Sequence, residues 1–229
     1  MEQGERVRNG MLYLCPETTS WPVQDLVRVC PRCGGFVLYF CACNNQSLHD
    51  LRNDPKPMPC HHSRILFTNS ACRNNGKPTA KSGIGIAYSS NTTGQLSIAI
   101  TDMVDDFAVR SNQRVKLLAA IVGLKALSST FTTKNKKEQR SRIVASDSAY
   151  VVKGITKWLR MWKRQNWRTT KRKRPTNLDL FRKLDILIKR LEAKNIKVRF
   201  WHVPREHNQL ADRLAKAAAV DGTVATTLG

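Results

Sequence analysis

The chain has 229 residues, 41% of them hydrophobic, and a formal net charge of +22. That length suits one medium domain with a small appendage, and that composition can bury a core, so the chain is expected to fold. No apolar run approaches the roughly 18 to 20 residues that a bilayer span needs, which argues against a membrane protein. Seven cysteines, an odd number, with no apolar N-terminal segment, predict a reducing intracellular compartment, cytoplasmic or nuclear.

The charge is unevenly placed. Basic and acidic side chains balance at six each in residues 1–60, stand at five against three in 61–110, and at 28 against eight in the remainder. The C-terminal half is therefore the part expected to face a polyanion.

Residues 1–63 read as a small Cys-rich unit of their own. They hold six of the seven cysteines and end in the loop-forming run 53–59, which carries three prolines. Cys30-Pro31-Arg32-Cys33-Gly34-Gly35 resembles a zinc knuckle, whose tight turn lets two thiolates converge on one metal. With Cys41 and Cys43 it would make a zinc ribbon, although the second pair has only one residue between its thiols. Cys60, His61, His62, Cys15 and His49 are alternative donors. The competing reading is a small hairpin with reduced, buried cysteines.

Three strands are expected next, at 64–68, 83–89 and 95–101. Asn91-Thr92-Thr93-Gly94 joins the last two, which suggests an antiparallel meander. A helix follows over 111–129 with Leu117, Ala120, Ile121 and Leu124 on its buried side. After a polar, basic connection, a short apolar strand ends at Ala145 or Ser146, just before Asp147. A helix from about Ala149, a helix over 178–193, a strand over 198–203 and a helix over 209–220 complete the order. Such an order predicts one α/β layered domain, a mixed five-stranded sheet flanked by helices, over 64–220, with 221–229 as a flexible tail.

The helix after Asp147 is divided by charge. Val151, Ile155, Trp158 and Trp162 recur at helical spacing as an apolar stripe, while Lys153, Lys157, Arg160 and Arg164 recur on another face. From Lys153 to Arg174 there are ten basic residues, three tryptophans and no acid. Such a segment repels itself unless something polyanionic lies against it, and nucleic acid is the obvious candidate. The tetrad Lys171, Arg172, Lys173 and Arg174 fits phosphate contact and equally a nuclear import signal.

Four motifs in order give this pattern a family. Phe67-Thr68-Asn69-Ser70-Ala71-Cys72, Asn112-Gln113-Arg114-Val115-Lys116-Leu117, Ser146-Asp147-Ser148 and Asn208-Gln209-Leu210-Ala211-Asp212 resemble the motifs of type 1 ribonuclease H. Members of that family cut the RNA strand of RNA/DNA hybrids. The resemblance runs from about Arg64 to Ala219, and 154–177 is similar to the family's basic protrusion. It implies an RNase H-like fold and four carboxylates holding two Mg2+ ions for an in-line displacement.

Asp147 and Asp212 match two of those carboxylates, whereas Asn69 stands for an Asp and Lys116 for the Glu. An amide still offers a neutral oxygen, but an ammonium has donors only and cannot ligate Mg2+. Lys116 is expected to pair with Asp147 and leave a metal-free site that stays folded. Without the family, Asp147 reads as a helix N-cap and Asp212 as a solvated helical acid. The resemblance further implies that Asn75, Asn112 and Gln113 read the hybrid's minor groove and 2′-hydroxyls. It likewise implies that Tyr150, Trp158 and Thr170 line the DNA-strand channel, and that Ser111 and Asn177 hold a DNA phosphate. Val109 stands where that phosphate pocket would carry an arginine, with Arg110 adjacent. His207 lies near a family histidine that assists product release, and reads equally as a surface residue.

The expectation is a nucleic-acid-binding RNase H-like protein, impaired in catalysis, for RNA/DNA hybrid or double-stranded RNA. A weak Mg2+- or Mn2+-dependent hybrid ribonuclease and a protein-interaction scaffold using the Cys-rich unit are the alternatives.

Overall fold

The computed structural model describes residues 10–14, 18–38, 63–74, 81–106, 111–129 and 140–221. The cysteines and histidines at 15, 41, 43, 49, 60, 61 and 62, together with Asn75, Val109 and Arg110, lie outside those residues.

All five expected strands form. They are β3 (Ser63–Arg73), β4 (Lys81–Ala87), β5 (Gln95–Ala99), β6 (Arg140–Ser146) and β7 (Ile196–His202). β3, β4 and β5 make the antiparallel meander, while β6 pairs in parallel with β3 and then with β7. β3 is central and buried on both faces over Ser63–Ser70, as an apolar run paired to a parallel neighbour should be. It runs five residues past its expected end, because pairing with β4 continues to Arg73↔Lys81. Asn69 therefore lies inside a strand, opposite Gly85, and not just after one.

Two further strands belong to the Cys-rich region and make the small hairpin of its competing reading, with Cys30 buried at the turn. After a single helical turn, α1 (Val23–Leu26), a hairpin of β1 (Val27–Val29) and β2 (Phe36–Leu38) joins the sheet, making it seven-stranded. β2 pairs with β3 at Val37↔Arg64, beyond the end of β4, and Gly35 bridges to Ser89. At the opposite edge Met11 bridges to Phe200 of β7, with Leu12 N–H donating to Phe200 O at 2.8 Å. These short runs lack a sequence period of their own, so their pairing is set by the sheet they reach.

Strand alternation sorts the core into two faces. On one, Leu66, Ile84, Ile86, Val144, Val198 and Phe200 meet α2 (Asn112–Ser129) and α5 (Leu178–Glu192). α2 is buried nearly all round, with Leu117, Ala120, Ile121 and Leu124 inside as expected. Each fully buried Leu or Ile there contributes roughly 1.5–3 kcal/mol. On the other face Ile65, Phe67, Ile143 and Ala145 meet α6 (Gln209–Asp221) and the N-terminal side chains Leu12, Leu14, Trp21 and Leu26. α6 approaches β4 so closely that a Cβ on Gly83 would come within 2.5 Å of the Ala218 Cβ. Only glycine permits that approach, and the approach sets where the first turn of α6 projects.

The helix after β6 is interrupted. α3 (Ala149–Lys153) passes through a π-helical segment, Gly154–Trp158, into α4 (Leu159–Arg164). Of the expected stripe Val151 and Trp162 are buried while Ile155 and Trp158 are half-buried, and the π-helical turn also buries Thr156, whose hydroxyl donates to Val152 O at 2.6 Å. Gly154 is tight against Phe181, where a Cβ would overlap the ring.

Candidate functional site

The site forms where four elements meet. β3 and β6 run in parallel with Thr68 opposite Ser146, so Asn69, inside β3, lies beside Asp147, which follows the carboxyl end of β6. In α/β sheets that edge is where ligands gather. α6 brings Asp212 from one side, held by Asn208: its amide donates to Thr68 O at 3.1 Å, and its own carbonyl accepts from the Asp212 N–H at 3.0 Å. α2 brings Lys116 from the other.

The four expected positions meet, in two pairs. Lys116 Nζ donates to Asp147 Oδ1 at 2.8 Å, the two side chains being 17% and 9% exposed. Asn69 Nδ2 donates to Asp212 Oδ1 at 3.1 Å, while Asn69 Oδ1 accepts from the Ser70 N–H at 2.8 Å. The neutral oxygen of Asn69 is thus already engaged by the backbone, and its donor face looks at the carboxylate. Asp147 is not the helix N-cap that it resembles in isolation. Ser148 caps α3 by accepting from the Val151 N–H at 3.3 Å, which leaves Asp147 for Lys116.

Asp212 is likewise not merely a solvated acid. Besides Asn69 it meets Lys216 Nζ at 2.5 Å and Arg205 Nη2 at 3.3 Å. Burial pushes its carboxyl up, but the ammonium of Lys216 and the guanidinium of Arg205 outweigh that and hold it below the ordinary 3.8. Neither cation was expected from the sequence. Lys216 follows Asp212 at helical i,i+4 spacing, and that signal would have found it. Arg205 comes from a loop turn, Arg205–His207, and no spacing announces it.

A second ion cluster lies two residues away on α2. Arg114 is 2% exposed and makes bidentate contacts with Asp105, at 2.7 Å on each oxygen, and with Asp179, at 2.9 and 3.1 Å. Burial alone would lower the Arg114 guanidinium, but the two carboxylates raise it well above its ordinary value. Desolvation pulls Asp179 up, and its bonds to Arg114 bring it down overall. The triad ties the segment after β5, α2 and the start of α5 into one body.

The expected interface residues divide into two groups. Ser111 caps α2, its hydroxyl accepting from the Arg114 N–H at 3.3 Å, with Asn112 and Gln113 exposed beside it. Ser70 Oγ donates to Asn112 Oδ1 at 2.9 Å, linking that group to β3. Tyr150, Trp158 and Asn177 form the second group. The Tyr150 and Trp158 rings sit edge to face at 5.8 Å, and Asn177 Nδ2 donates to the Tyr150 hydroxyl at 3.3 Å. Burial raises the Tyr150 phenol, so it stays neutral.

Asn177 takes a left-handed conformation, φ 56°, at the start of α5, where Asn is better tolerated than most residues. The basic loop between α4 and α5 closes on itself: Thr169 N–H donates to Lys173 O at 2.8 Å, and Arg168 donates to Arg172 O at 3.0 Å. Thr170 and Lys171, Arg172, Lys173 and Arg174 are all exposed on it, as are Lys153, Lys157, Arg160 and Arg164 on the adjoining helices. His207 is half-buried in its loop turn.

Cys30 and Cys33 lie in the tight turn between β1 and β2, which Gly34 closes at φ +66° with its N–H donating to Cys30 O at 2.8 Å. The Cys33 sulfur accepts from Arg64 at 3.2 Å. Among the described residues no three His, Cys, Asp or Glu side chains gather to hold a metal, and no helix is long and apolar enough to cross a membrane.

Comparison with known proteins agrees with this layout. The RNase H family model matches residues 61–220. Ribonuclease H of Shewanella sp. (strain MR-4) is 35% identical over 156 residues, covering 67% of this chain and 85% of the relative. Ribonuclease H of Salmonella arizonae is 34% identical over 119 residues, 52% of this chain and 70% of the relative. Among solved structures, a foamy viral protease-reverse transcriptase in complex with dsDNA superposes with a TM-score of 0.52 at 19% identity, over 69% of this chain and 95% of that one. The same kind of protein in complex with RNA/DNA hybrid gives 0.53 at 18% identity, over 78% of this chain and 22% of that one. The motifs, the fold, the family model and relatives of this identity converge: the chain belongs to the RNase H family.

Proposed function

We propose that this protein binds RNA/DNA hybrid, or double-stranded RNA, through its C-terminal half without cutting it. The observation that carries this reading is the Lys116 ammonium 2.8 Å from Asp147, at a position where the family has a carboxylate. Such an ammonium repels Mg2+, and near a protein surface two unit charges about 4 Å apart interact by roughly 4 kcal/mol, about twice that for a divalent ion. The donor set does not fit a pair of Mg2+ ions: two carboxylates are left, both in ion pairs, and the Asn69 oxygen is bound by backbone.

The interface is better equipped than the chemistry. Asn112 and Gln113 stand exposed beside the site, and Tyr150, Trp158 and Asn177 are assembled next to the basic loop of Lys171 to Arg174. These groups suit contacts with phosphate, sugar and the 2′-hydroxyl, and a foamy viral relative in fold is known with RNA/DNA hybrid bound. An intracellular compartment follows from that substrate class.

The test is cleavage of a labelled RNA/DNA hybrid in Mg2+ and in Mn2+, for the parent and for Asn69→Asp with Lys116→Glu. A silent parent beside a cutting double variant is the expected result. Cleavage by the parent that disappears in Asp147→Ala would make it a weak metal-dependent nuclease instead.

For the N-terminal region we read the Cys30 to Cys33 turn as half of a zinc site that Cys41 and Cys43 complete, supported by the tight Gly34 turn alone. Metal analysis of the purified full chain tests it, with one zinc per chain expected and none for Cys30→Ser with Cys33→Ser.

A further inference from the structure

Two ion-paired groups border the end of β6: Lys116 with Asp147, and Arg205 and Lys216 with Asp212, with Asn69, beside Asp147 in the sheet, donating to Asp212. One positive charge is left over, so the local field attracts an anion. Burial orders the three cations. Lys116 is 17% exposed, while Arg205 at 71% and Lys216 at 61% stand open to solvent.

An ammonium offers three donors and no acceptor. Asp147 takes one from Lys116, and two remain for an incoming oxygen. The same helix carries the exposed Asn112 and Gln113 four and three residues before Lys116, so all three lie along one helical face.

We propose that Lys116, supported by the exposed Arg205 and Lys216, grips a backbone phosphate of the bound nucleic acid directly, so that binding is independent of divalent metal. This rests on the hybrid-binding reading above. The lysine bridges a carboxylate and a phosphate, and the charge order from Asp147 to ammonium to phosphate alternates without any ion. Binding and metal dependence become separable in this chain.

The experiment measures the affinity of the full chain for a fluorescein-labelled RNA/DNA hybrid across a salt series, in EDTA and in Mg2+ at matched ionic strength. The parent is expected to bind equally well in both. Lys116→Gln is expected to weaken binding several-fold in EDTA and to reduce the slope of log affinity against log salt by about one, the signature of one lost phosphate contact. Lys116→Arg should restore both.

Lys116→Gln combined with Asp147→Asn separates contact from charge masking, because it leaves the local net charge as in the parent; thermal melts confirm that it is folded. It should remain weak. If it binds with the affinity and salt slope of the parent, Lys116 only screens Asp147 and the proposal falls. Mg2+-dependent tightening of the parent also overturns it, since a metal would then be gripping the phosphate. In both cases hybrid binding itself stands, whereas a parent that binds no hybrid in either buffer removes the reading beneath.

Discussion

Helix α2 presents two cations two residues apart, and they do opposite things. Arg114 is sealed in, with its planar fork saturated by the two carboxylates of Asp105 and Asp179. Lys116 makes one short contact to Asp147 and keeps part of its surface open. An arginine with several fixed donors suits a permanent joint between elements, whereas a lysine point charge leaves donors for something that arrives. The contrast teaches that charge at this edge of the fold serves architecture at one position and ligand contact at the next.

Breaking the joint should cost most. Arg114→Met leaves buried Asp105 without its main partner and is expected to lower stability by about 3–5 kcal/mol in urea denaturation. Lys116→Met, next to a carboxylate that is only partly buried, should lose clearly less. Equal losses would mean that Lys116 is an architectural residue too.

Converting the ligand-facing site back to carboxylates sharpens the contrast. Asn69→Asp with Lys116→Glu should melt lower than the parent in EDTA, because four acids then repel one another. It should regain stability with Mg2+, by about 2.7 kcal/mol at a hundredfold excess over the dissociation constant. The parent's melting temperature should ignore Mg2+.

Acid reads out the other half of the site. The Asp212 carboxyl lies lower in the folded chain than its ordinary value, so its stabilising contribution is fully present above about pH 4 and is lost as pH falls through the folded pKa. Asp212→Asn should therefore flatten the acid limb of a melting-temperature profile below about pH 4 and leave the neutral region nearly parallel to the parent. An unchanged acid limb would show that Lys216 and Arg205 do not hold the carboxyl in solution.

The smallest effect on the fold should come from the exposed loop. Neutralising Lys171 to Arg174 is expected to change stability by less than about 0.5 kcal/mol. Hybrid affinity should fall, with a shallower dependence on salt. Unchanged affinity would move the contact surface away from this loop.

Much of this was legible in the residues. Helical periodicity placed α2, α5 and α6 to within a residue or two, and the apolar stripe of α2 was read correctly. Other features carried no local signal. β1 and β2 are three residues each, too short for a period, so the hairpin reading of the cysteine turn carried no bounds and no pairing to β3 beyond the end of β4. The π-helical segment at Gly154–Trp158, where Gly154 packs tightly against Phe181, is invisible to a helical period. At the site, Asn69, Lys116, Asp147 and Asp212 were named from four motifs. Arg205 was missed because its contact crosses a loop, and Arg114 was missed because its partners lie in two other segments.

What the sequence by itself determined is the kind of molecule: the periods and turn residues that choose each element, the charge that concentrates in the C-terminal half, and the four motifs. Those are properties of neighbours along the chain. Only the tertiary structure decided which charges meet. Lys116 reaches Asp147 across 31 positions and Asn69 reaches Asp212 across 143, and such contacts exist only once β3, β6, α2 and α6 meet at one edge. Charge pairing depends on distance in space to within an ångström, and that distance is set by the packing of the sheet and helices.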